Sequence, residues 1–318
     1  LAYVLWLAAM MIINYYMAYM ICLFLVLFFA WYQAAYFSGL KKFWERLYLF
    51  ISRSLLAVGI SAFVLVPTYY SLVTSKGQYT EKSFQLNFEY APLKMLSKFV
   101  IGAFNFEQMP KGFPNLFIGS LALIGVFLYF ISLKIKWRPK LAAFLVSVFL
   151  WLSLCFEPLD LLWHGMQFPV WYPYRFSFIV SFWMVFLAAL ALKENQFRLN
   201  PHQALICLGI FTAGLSYVYF NSKSFDYVSE QVILFTALFN VLLLLVLTVK
   251  KTPLNQRLTP LVIFLLVCFE MLANITYSLN NISYLTQAEF AGPTKVIAQD
   301  QKKLTQLDPG FYRTAQLY

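Results

Sequence analysis

Charged residues are scarce in this sequence. Asp, Glu, Lys and Arg make up 12% of its 318 residues, about half of the roughly 25% that soluble domains carry. An ordinary soluble enzyme is therefore excluded. Hydrophobic residues make up 61%, aromatic residues 20%, and the mean hydropathy is +0.69. Because the apolar residues come in long blocks, the sequence predicts a polytopic membrane protein.

Soft metal ligands and nucleotide-binding motifs are also lacking. There are two histidines and four cysteines, and no two cysteines form a CxxC pair. All four cysteines fall inside apolar blocks, which is typical of small buried side chains and argues against a disulfide framework or a structural zinc site. Neither GxxxxGK[ST] nor GxGxxG occurs, which disfavours a cytosolic nucleotide-binding role. The residues concerned are Cys22, Cys155, Cys207, Cys268, His164 and His202.

Nine apolar segments predict an all-α, polytopic transmembrane helical bundle. The first segment is shorter than the roughly 20 residues that a spanning helix needs, so we expect the chain to begin partway through a helix. The predicted spans are Leu1–Ile13, Met17–Tyr36, Leu55–Leu72, Asn115–Leu133, Leu141–Phe156, Tyr174–Leu192, Ala204–Phe220, Gln231–Val249 and Thr259–Ser278.

The net charge of +11 indicates how the chain is oriented in the membrane, because the basic residues lie between the apolar blocks. No nucleic-acid partner is therefore expected. Four short connections hold 13 of the 24 Lys and Arg residues, with only Glu45 and Glu194 against them. The positive-inside rule places these connections in the cytoplasm. They run over Lys41–Arg53, Lys134–Lys140, Lys193–Arg198 and Lys250–Arg257.

The longer connections are then extracytoplasmic. They comprise residues 74–114 and 157–173, together with the tail from 279. Any site should lie on this face, since only here are the loops long enough to build one. We divide the chain into a transmembrane domain, residues 1–279, and the start of an extracytoplasmic C-terminal domain, residues 280–318. Phe311–Tyr318 looks like the opening of a strand whose partners would follow.

The stretch from Glu157 to Arg175 is the most informative candidate site. Carboxylates, a histidine, an arginine and aromatic residues meet at one predicted membrane boundary, and three prolines preclude one continuous helix. A guanidinium there can hold a phosphate through two parallel hydrogen bonds, and a histidine can donate a hydrogen bond or carry a proton. The alternative is an aromatic belt whose arginine snorkels to headgroups. The candidates are Glu157, Asp160, His164, Trp171, Tyr172, Tyr174 and Arg175.

The connection 74–114 supplies a second set of candidates. Lys94 and Lys98 would share one face of an amphipathic helix lying on the membrane surface. Such a helix could steer a lipid with an anionic head or serve as a plain interfacial anchor. Glu89 and Glu107 flank it and could act as a base or a metal ligand, with solvated loop acids as the alternative. A divalent cation is left open, and no other cofactor is predicted.

Two polar features lie at or within the spans. Asn14, Tyr15 and Tyr16, with Tyr19, could hydrogen-bond a sugar or phosphate, or could form a hairpin turn with belt tyrosines. Glu270 is the only acid deep in a span. A carboxylate in lipid is costly, so Glu270 should face the bundle interior, paired or protonated. It could make a helix-bundling hydrogen bond or serve in catalysis or transport.

Several segments together resemble the YfhO family of bacterial membrane proteins. The most specific is His164-Gly-Met-Gln-Phe-Pro169 followed by Tyr172-Pro-Tyr-Arg-Phe-Ser-Phe178. The others are Asn14–Met20, Ser61–Tyr70 and Pro114–Gly119. The similarity runs over nearly the whole chain.

The resemblance implies a function. Members of this family are regarded as GT-C-type glycosyltransferases that take a sugar from a polyprenyl-phosphate donor and add it to lipoteichoic acid or a related polymer outside Gram-positive cells. It implies a multi-pass protein of the bacterial plasma membrane whose C-terminal tail is extracytoplasmic. Such enzymes usually place a catalytic acid in the first outside loop. That loop would precede Leu1, so no catalytic base is assigned.

Two other functions remain open at this stage. A transporter or flippase of a lipid-linked glycan would need the same lipid-binding parts without the chemistry. Transporters favour inverted repeats and charges at mid-membrane, whereas the sequence shows no internal repeat and only Glu270 as a deep charge. The third hypothesis is a structural scaffold that recruits cell-envelope partners through its outer tail.

Overall fold

The computed structural model describes residues 1–74, 85–167, 169, 171–249, 252–307 and 310. Twelve α-helices form in this part of the chain, and its only β-type pairing is an isolated antiparallel bridge between Phe88 and Phe156. The all-α prediction is confirmed. The helices are α1 (Ala2–Ile13), α2 (Tyr15–Ala35), α3 (Leu40–Thr74), α4 (Gln108–Lys111), α5 (Ser120–Ile131), α6 (Trp137–Ser153), α7 (Glu157–Trp163), α8 (Ser177–Glu194), α9 (Pro201–Phe220), α10 (Glu230–Thr248), α11 (Pro253–Asn280) and α12 (Gln287–Leu307).

Six of the described helices are long and apolar enough to cross a membrane: α2, α3, α8, α9, α10 and α11. The other three predicted spans fall on the shorter helices α1, α5 and α6, of 12, 12 and 17 residues. A polytopic helical membrane protein is therefore confirmed. All four cysteines are free thiols.

Helix α3 is longer than the predicted span. Residues 41–53, expected as a basic connection, form its first turns, so that the helix runs for 35 residues. The reason is local: no glycine or proline occurs between Gly39 and Gly59, and nothing in that stretch ends a helix. At 1.5 Å per residue the helix is about 52 Å long, which exceeds the roughly 30 Å of a bilayer core.

Helix α5 is shorter than its predicted span. The sequence predicts a helix from Asn115, but residues 112–119 form no helix and α5 begins at Ser120. Gly119 precedes it with φ +80°, a conformation that favours glycine. Non-helical backbone within a predicted span requires partners inside the protein, because lipid offers none.

Glu270 of α11 provides those partners. Its side chain is fully buried, and its carboxylate accepts the backbone N–H of Ser120 at 2.8 Å and 3.0 Å and the Ser120 hydroxyl at 2.5 Å. The first turn of a helix has backbone N–H groups without intrahelical acceptors, and this carboxylate satisfies one of them. Of the two roles expected for Glu270, the structure shows the helix-bundling hydrogen bond.

The main core lies between α2, α5, α6 and α8. Helices α5 and α8 pack closely because Gly125 faces Ala188: a Cβ on Gly125 would stand 2.5 Å from the Ala188 Cβ. Small residues allow such approach in membrane helices. On the neighbouring face, Phe24 and Trp31 of α2 make edge contacts with Trp183 of α8, at centroid distances of 6.2 Å and 5.5 Å.

Helices α1 and α3 pack against each other around a separate apolar cluster that includes Leu7, Met11 and Ala57. The tail after α11 forms α12, which is exposed along the residues whose side chains are described. The predicted strand at Phe311–Tyr318 lies outside the described residues. The division at residue 279 stays a prediction.

We predict that Glu270→Ala lowers the unfolding midpoint of the detergent-purified protein. The substitution leaves the Ser120 N–H and hydroxyl without their acceptor in a buried place, which costs about 1–3 kcal/mol. Glu270→Gln, whose amide oxygen can still accept the N–H, should fall in between. The exposed Glu45→Ala on α3 is the control. Equal midpoints for Glu270→Ala and Glu45→Ala would show that the cap contributes nothing.

Candidate functional site

No continuous helix joins α6 to α8, as the prolines of this connection predict. Helix α7 is a single short helix with Pro158 in its first turn, and the described residues between His164 and Phe176, which exclude 168 and 170, form mainly turns and bends; we call them the irregular segment. Within this segment Gly165, Met166, Tyr172 and Tyr174 all have φ between +53° and +65°. Non-glycine residues adopt this region at a cost and are held there by their surroundings. These backbone angles mark two tight turns, one after α7 and one before α8.

Four side chains from three parts of the chain meet beside α7, and we call them the boundary cluster: Tyr16, Asp160, His164 and Arg175. The Tyr16 hydroxyl lies 2.5 Å from His164 Nδ1, and His164 Nε2 lies 3.4 Å from Asp160 Oδ1. The Arg175 guanidinium lies over the Tyr16 ring, 5.5 Å from its centroid. A phenol, an imidazole and a carboxylate thus form a chain, with a cation beside the phenol.

The imidazole and the carboxylate of this chain are buried. His164 and Asp160 are 4% and 3% exposed, and burial raises the pKa of Asp160 above its ordinary value, while the contact with His164 acts in the opposite direction. If Nδ1 accepts the Tyr16 proton, Nε2 carries the imidazole proton and points it toward Asp160. At 3.4 Å this second contact is an electrostatic one, looser than an ordinary hydrogen bond.

Arg175 is half-buried and retains donor capacity. Its Nη2 donates to the carbonyl of Trp171 at 2.6 Å, which closes the irregular segment on itself. A guanidinium has five N–H donors, so this bond leaves others available to an anion. Trp163 stacks on Phe176 at 4.9 Å beneath the cluster and gives it an apolar floor.

A second polar pair lies on the neighbouring loop. The Tyr174 hydroxyl donates a hydrogen bond to the Glu89 carboxylate. Two backbone bonds hold this loop against the start of α7: Glu89 N–H to Cys155 O at 2.9 Å, and Glu157 N–H to Asn87 O at 3.3 Å. Partial burial of the Glu89 carboxyl raises its pKa to about 7, although the bond from Tyr174 acts in the opposite direction.

The remaining candidate acids, Glu157 and Glu107, are not part of the boundary cluster. Glu157 accepts the backbone N–H of Gln85 at 2.9 Å and so holds the loop in place. Glu107 is exposed at the start of α4. In the described part of the chain, no group of three His, Cys, Asp or Glu side chains could hold a metal ion. A divalent cation therefore stays a prediction without a site among these residues.

The candidate tyrosines and the tryptophan differ in their exposure to solvent and do not form one group. Tyr174 is buried, whereas Trp171 and Tyr172 are 44% and 49% exposed. The Tyr172 N–H donates to Met109 O at 2.8 Å, which ties the irregular segment to α4. Asn14 caps α2 by accepting the Met17 N–H at 3.1 Å. This is the hairpin-turn alternative, and Tyr15 beside it is 38% exposed.

The two lysines of the connection do not form the expected surface face. Residues Pro92–Phe99 form a 3-10 helix in which Lys94 is half-buried and Lys98 is fully buried. Lys98 Nζ donates to Ala103 O at 2.7 Å and lies 4.3 Å from the Tyr227 ring centroid. Burial lowers the Lys98 pKa to about 7. The expected amphipathic surface helix was wrong because the segment packs inward.

Tyr16 was one of several candidates at the turn before α2, and the sequence analysis did not predict its contact with His164. The two residues are 148 positions apart, and Tyr15 and Tyr19 were candidates on equal terms. Only helical spacing could have separated them, since Tyr16 and Tyr19 lie on one face and both reach α7. Tyr19 donates to the Leu162 carbonyl at 2.8 Å.

We predict that the unfolding free energy falls as the pH rises through about 7, in part because of Glu89. Its pKa is raised above the ordinary 4.5 in the folded protein, so the stability it contributes is fully present below pH 4.5 and is lost above about 7. Because Glu89 is exposed to solvent at one side, the change should be under about 1 kcal/mol.

Two variants isolate this effect in pH-dependent unfolding measurements. Glu89→Gln keeps an acceptor for Tyr174 and should flatten the profile, leaving the part that belongs to Asp160. Tyr174→Phe removes a bond that favours the ionised carboxylate, so the loss of stability should shift to higher pH. Superimposable profiles for wild type and Glu89→Gln would contradict the assignment.

The chain matches no curated protein and no solved structure. It does match one protein family, described as bacterial membrane protein YfhO, over residues 1–318. Because that match spans every residue given, the chain belongs to the YfhO family of bacterial membrane proteins.

Proposed function

We propose that this protein is a membrane glycosyltransferase of the bacterial plasma membrane. It takes a sugar from a polyprenyl-phosphate donor and transfers it to an extracytoplasmic cell-envelope polymer such as lipoteichoic acid. The boundary cluster carries this proposal. A cation, a phenol and a buried imidazole–carboxylate pair meet beside an irregular, aromatic-rich segment at the end of membrane helices. A lipid-linked donor partitions into the bilayer, so its phosphate has to be met at such a boundary.

The proposed reaction breaks the bond between the sugar anomeric carbon and the phosphate oxygen. The acceptor hydroxyl oxygen forms the new bond to that carbon, and the polyprenyl phosphate leaves with the bonding electrons. Negative charge grows on the leaving phosphate, where fixed donors lower the barrier. Arg175 provides such donors, and the hydroxyl of Tyr16 beneath it is held in place by His164.

The acceptor hydroxyl must also lose a proton. Asp160 is buried against His164 and out of reach of a substrate, whereas Glu89 is exposed on the loop beside Tyr174. A base works best when its pKa is near the operating pH, and that of Glu89 is raised to about 7. We therefore assign proton acceptance to Glu89 and a positioning role to the Asp160–His164 pair.

Packing of the bundle favours transfer over the flippase alternative. From the boundary cluster, α2 and α8 run to the other end of the bundle with Phe24, Trp31 and Trp183 between them, each at most 6% exposed. A carrier of a charged headgroup needs polar partners along its route. This aromatic interface offers few polar partners.

The two ends of α8 support the proposed orientation. Arg175 precedes its first residue, and Lys193 lies in its last turn, 18 helical residues or about 27 Å on. The short basic connections adjoin the Lys193 end, which the positive-inside rule assigns to the cytoplasm. The boundary cluster and the C-terminal tail are then extracytoplasmic.

We predict that Arg175→Ala lowers sugar transfer at least about 100-fold. The assay uses the full-length protein in detergent, a synthetic polyprenyl-phosphate glucose with a radiolabelled sugar, and lipoteichoic acid as acceptor. Arg175→Lys keeps the charge and should retain part of the activity. Glu89→Gln should lower the rate of transfer more than it changes the Michaelis constant for the donor.

Arg198→Ala is the matched control. Arg198 also donates to a backbone carbonyl, that of Val249 at 3.0 Å, but at the Lys193 end of α8. Its activity should equal that of the wild type. Full transfer by Arg175→Ala would remove the phosphate-binding role. Donor movement across vesicles without any transfer in detergent would favour the flippase.

We predict opposite labelling of two exposed tryptophan positions replaced by cysteine. Trp171 and Trp137 are 44% and 67% exposed and lie at opposite ends of the bundle. A membrane-impermeant maleimide should label Trp171→Cys in intact cells and Trp137→Cys only after permeabilisation. The unsubstituted protein gives the background of its own four thiols. The reverse pattern would overturn the orientation and with it the extracytoplasmic site.

A further inference from the structure

A cavity opens at the end of the bundle opposite the boundary cluster. Its walls come from the end of α2, the connection between α5 and α6, and the end of α8. We call it the basic cavity. Its volume is about 820 Å³, within the range of about 300–1,000 Å³ usual for ligand sites.

The charges lining the basic cavity do not balance. Lys134, Lys136 and Arg138 all line it and are exposed, whereas the single acidic lining residue is Glu194. Among the described residues, no carboxylate lies within 4.0 Å of any of these three cations. Lys134 Nζ instead donates to the backbone carbonyl of Glu194 at 3.3 Å. The lining therefore has an excess of positive charge and free N–H donors.

The backbone adds to the positive charge of the basic cavity. Helix α6 begins at Trp137, inside the cavity wall, and its N-cap residue Lys136 makes no capping bond. The first turn of a helix carries partial positive charge. It supplements the three side chains in attracting an anion.

Exposed aromatic and apolar side chains surround the opening of the basic cavity. Tyr36 and Trp137 line it and are 48% and 67% exposed, and nearby Leu133 is 97% exposed. The Arg138 guanidinium lies 5.7 Å from the Trp137 ring centroid. Exposed tryptophan and tyrosine at helix ends mark the level of lipid headgroups. An occupant can therefore place an anionic head among the cations and its acyl chains along the rim.

We propose that the basic cavity binds the headgroup of an anionic phospholipid. Basic pockets between membrane helices are suited to phosphate-bearing heads, and the aromatic rim favours a ligand that is anchored in the bilayer over a free phosphate. The site is separate from the proposed transferase centre, and it requires no catalytic group.

Native mass spectrometry of the purified protein tests this with added dioleoylphosphatidylglycerol or dioleoylphosphatidylcholine. The wild type should retain the phosphatidylglycerol preferentially. Lys134→Ala combined with Lys136→Ala and Arg138→Ala should weaken that retention about tenfold or more. Glu194→Gln, which removes the single lining carboxylate, should strengthen it.

The matched control is Lys41→Ala combined with Lys42→Ala and Arg53→Ala. It removes three exposed cations from α3 that do not line the cavity. Equal loss in both triple variants would reduce the effect to general charge attraction and overturn the site. So would equal retention of the two lipids by the wild type. Displacement of phosphatidylglycerol by millimolar inorganic phosphate would overturn the choice of a lipid. Unfolding midpoints of both triple variants establish that each is folded.

Discussion

Inside a bilayer, each backbone polar group has to find its partner within the protein, and the bond between Glu270 and Ser120 meets this requirement at the buried start of α5. The non-helical residues 112–119 stand where the sequence predicts the first turns of a membrane helix. Without an acceptor, the beginning of α5 would present free N–H groups to an apolar interior. One carboxylate from α11 supplies it and thereby fixes how α5 and α11 meet.

The same requirement shapes the segment before α8. Among its described residues, the Trp171 carbonyl accepts from Arg175, the Tyr172 N–H donates to Met109, and the Met166 N–H donates to Leu161. Its side chains are then free to build the boundary cluster. Apolar packing below, through Trp163 and Phe176, keeps water from the imidazole–carboxylate pair. Backbone hydrogen bonds and aromatic packing together therefore hold the boundary cluster in place.

Hydropathy predicted the helical class and the positions of the membrane helices, because apolar length is a local property. It did not predict that α3 absorbs residues 41–53 or that α5 starts late, since both depend on partners elsewhere. In the site, proximity in sequence suggested Asp160, His164 and Arg175 together. Tyr16 and Glu89 reach them through tertiary packing, which one sequence does not encode visibly. Lys98 shows the same limit: its spacing suggests a surface, and its partner Tyr227 lies far along the chain.

The close approach of α5 and α8 has a consequence for the variation that the fold can accept. Gly125 has no room for a Cβ because Ala188 occupies the space. A Cβ at residue 125 would also lie 2.8 Å from the Ala188 Cα and 3.1 Å from its backbone oxygen, so removing the Ala188 methyl group would not create the room. The two helices can keep this spacing only while residue 125 is glycine, and any larger residue there has to push the backbones of α5 and α8 apart.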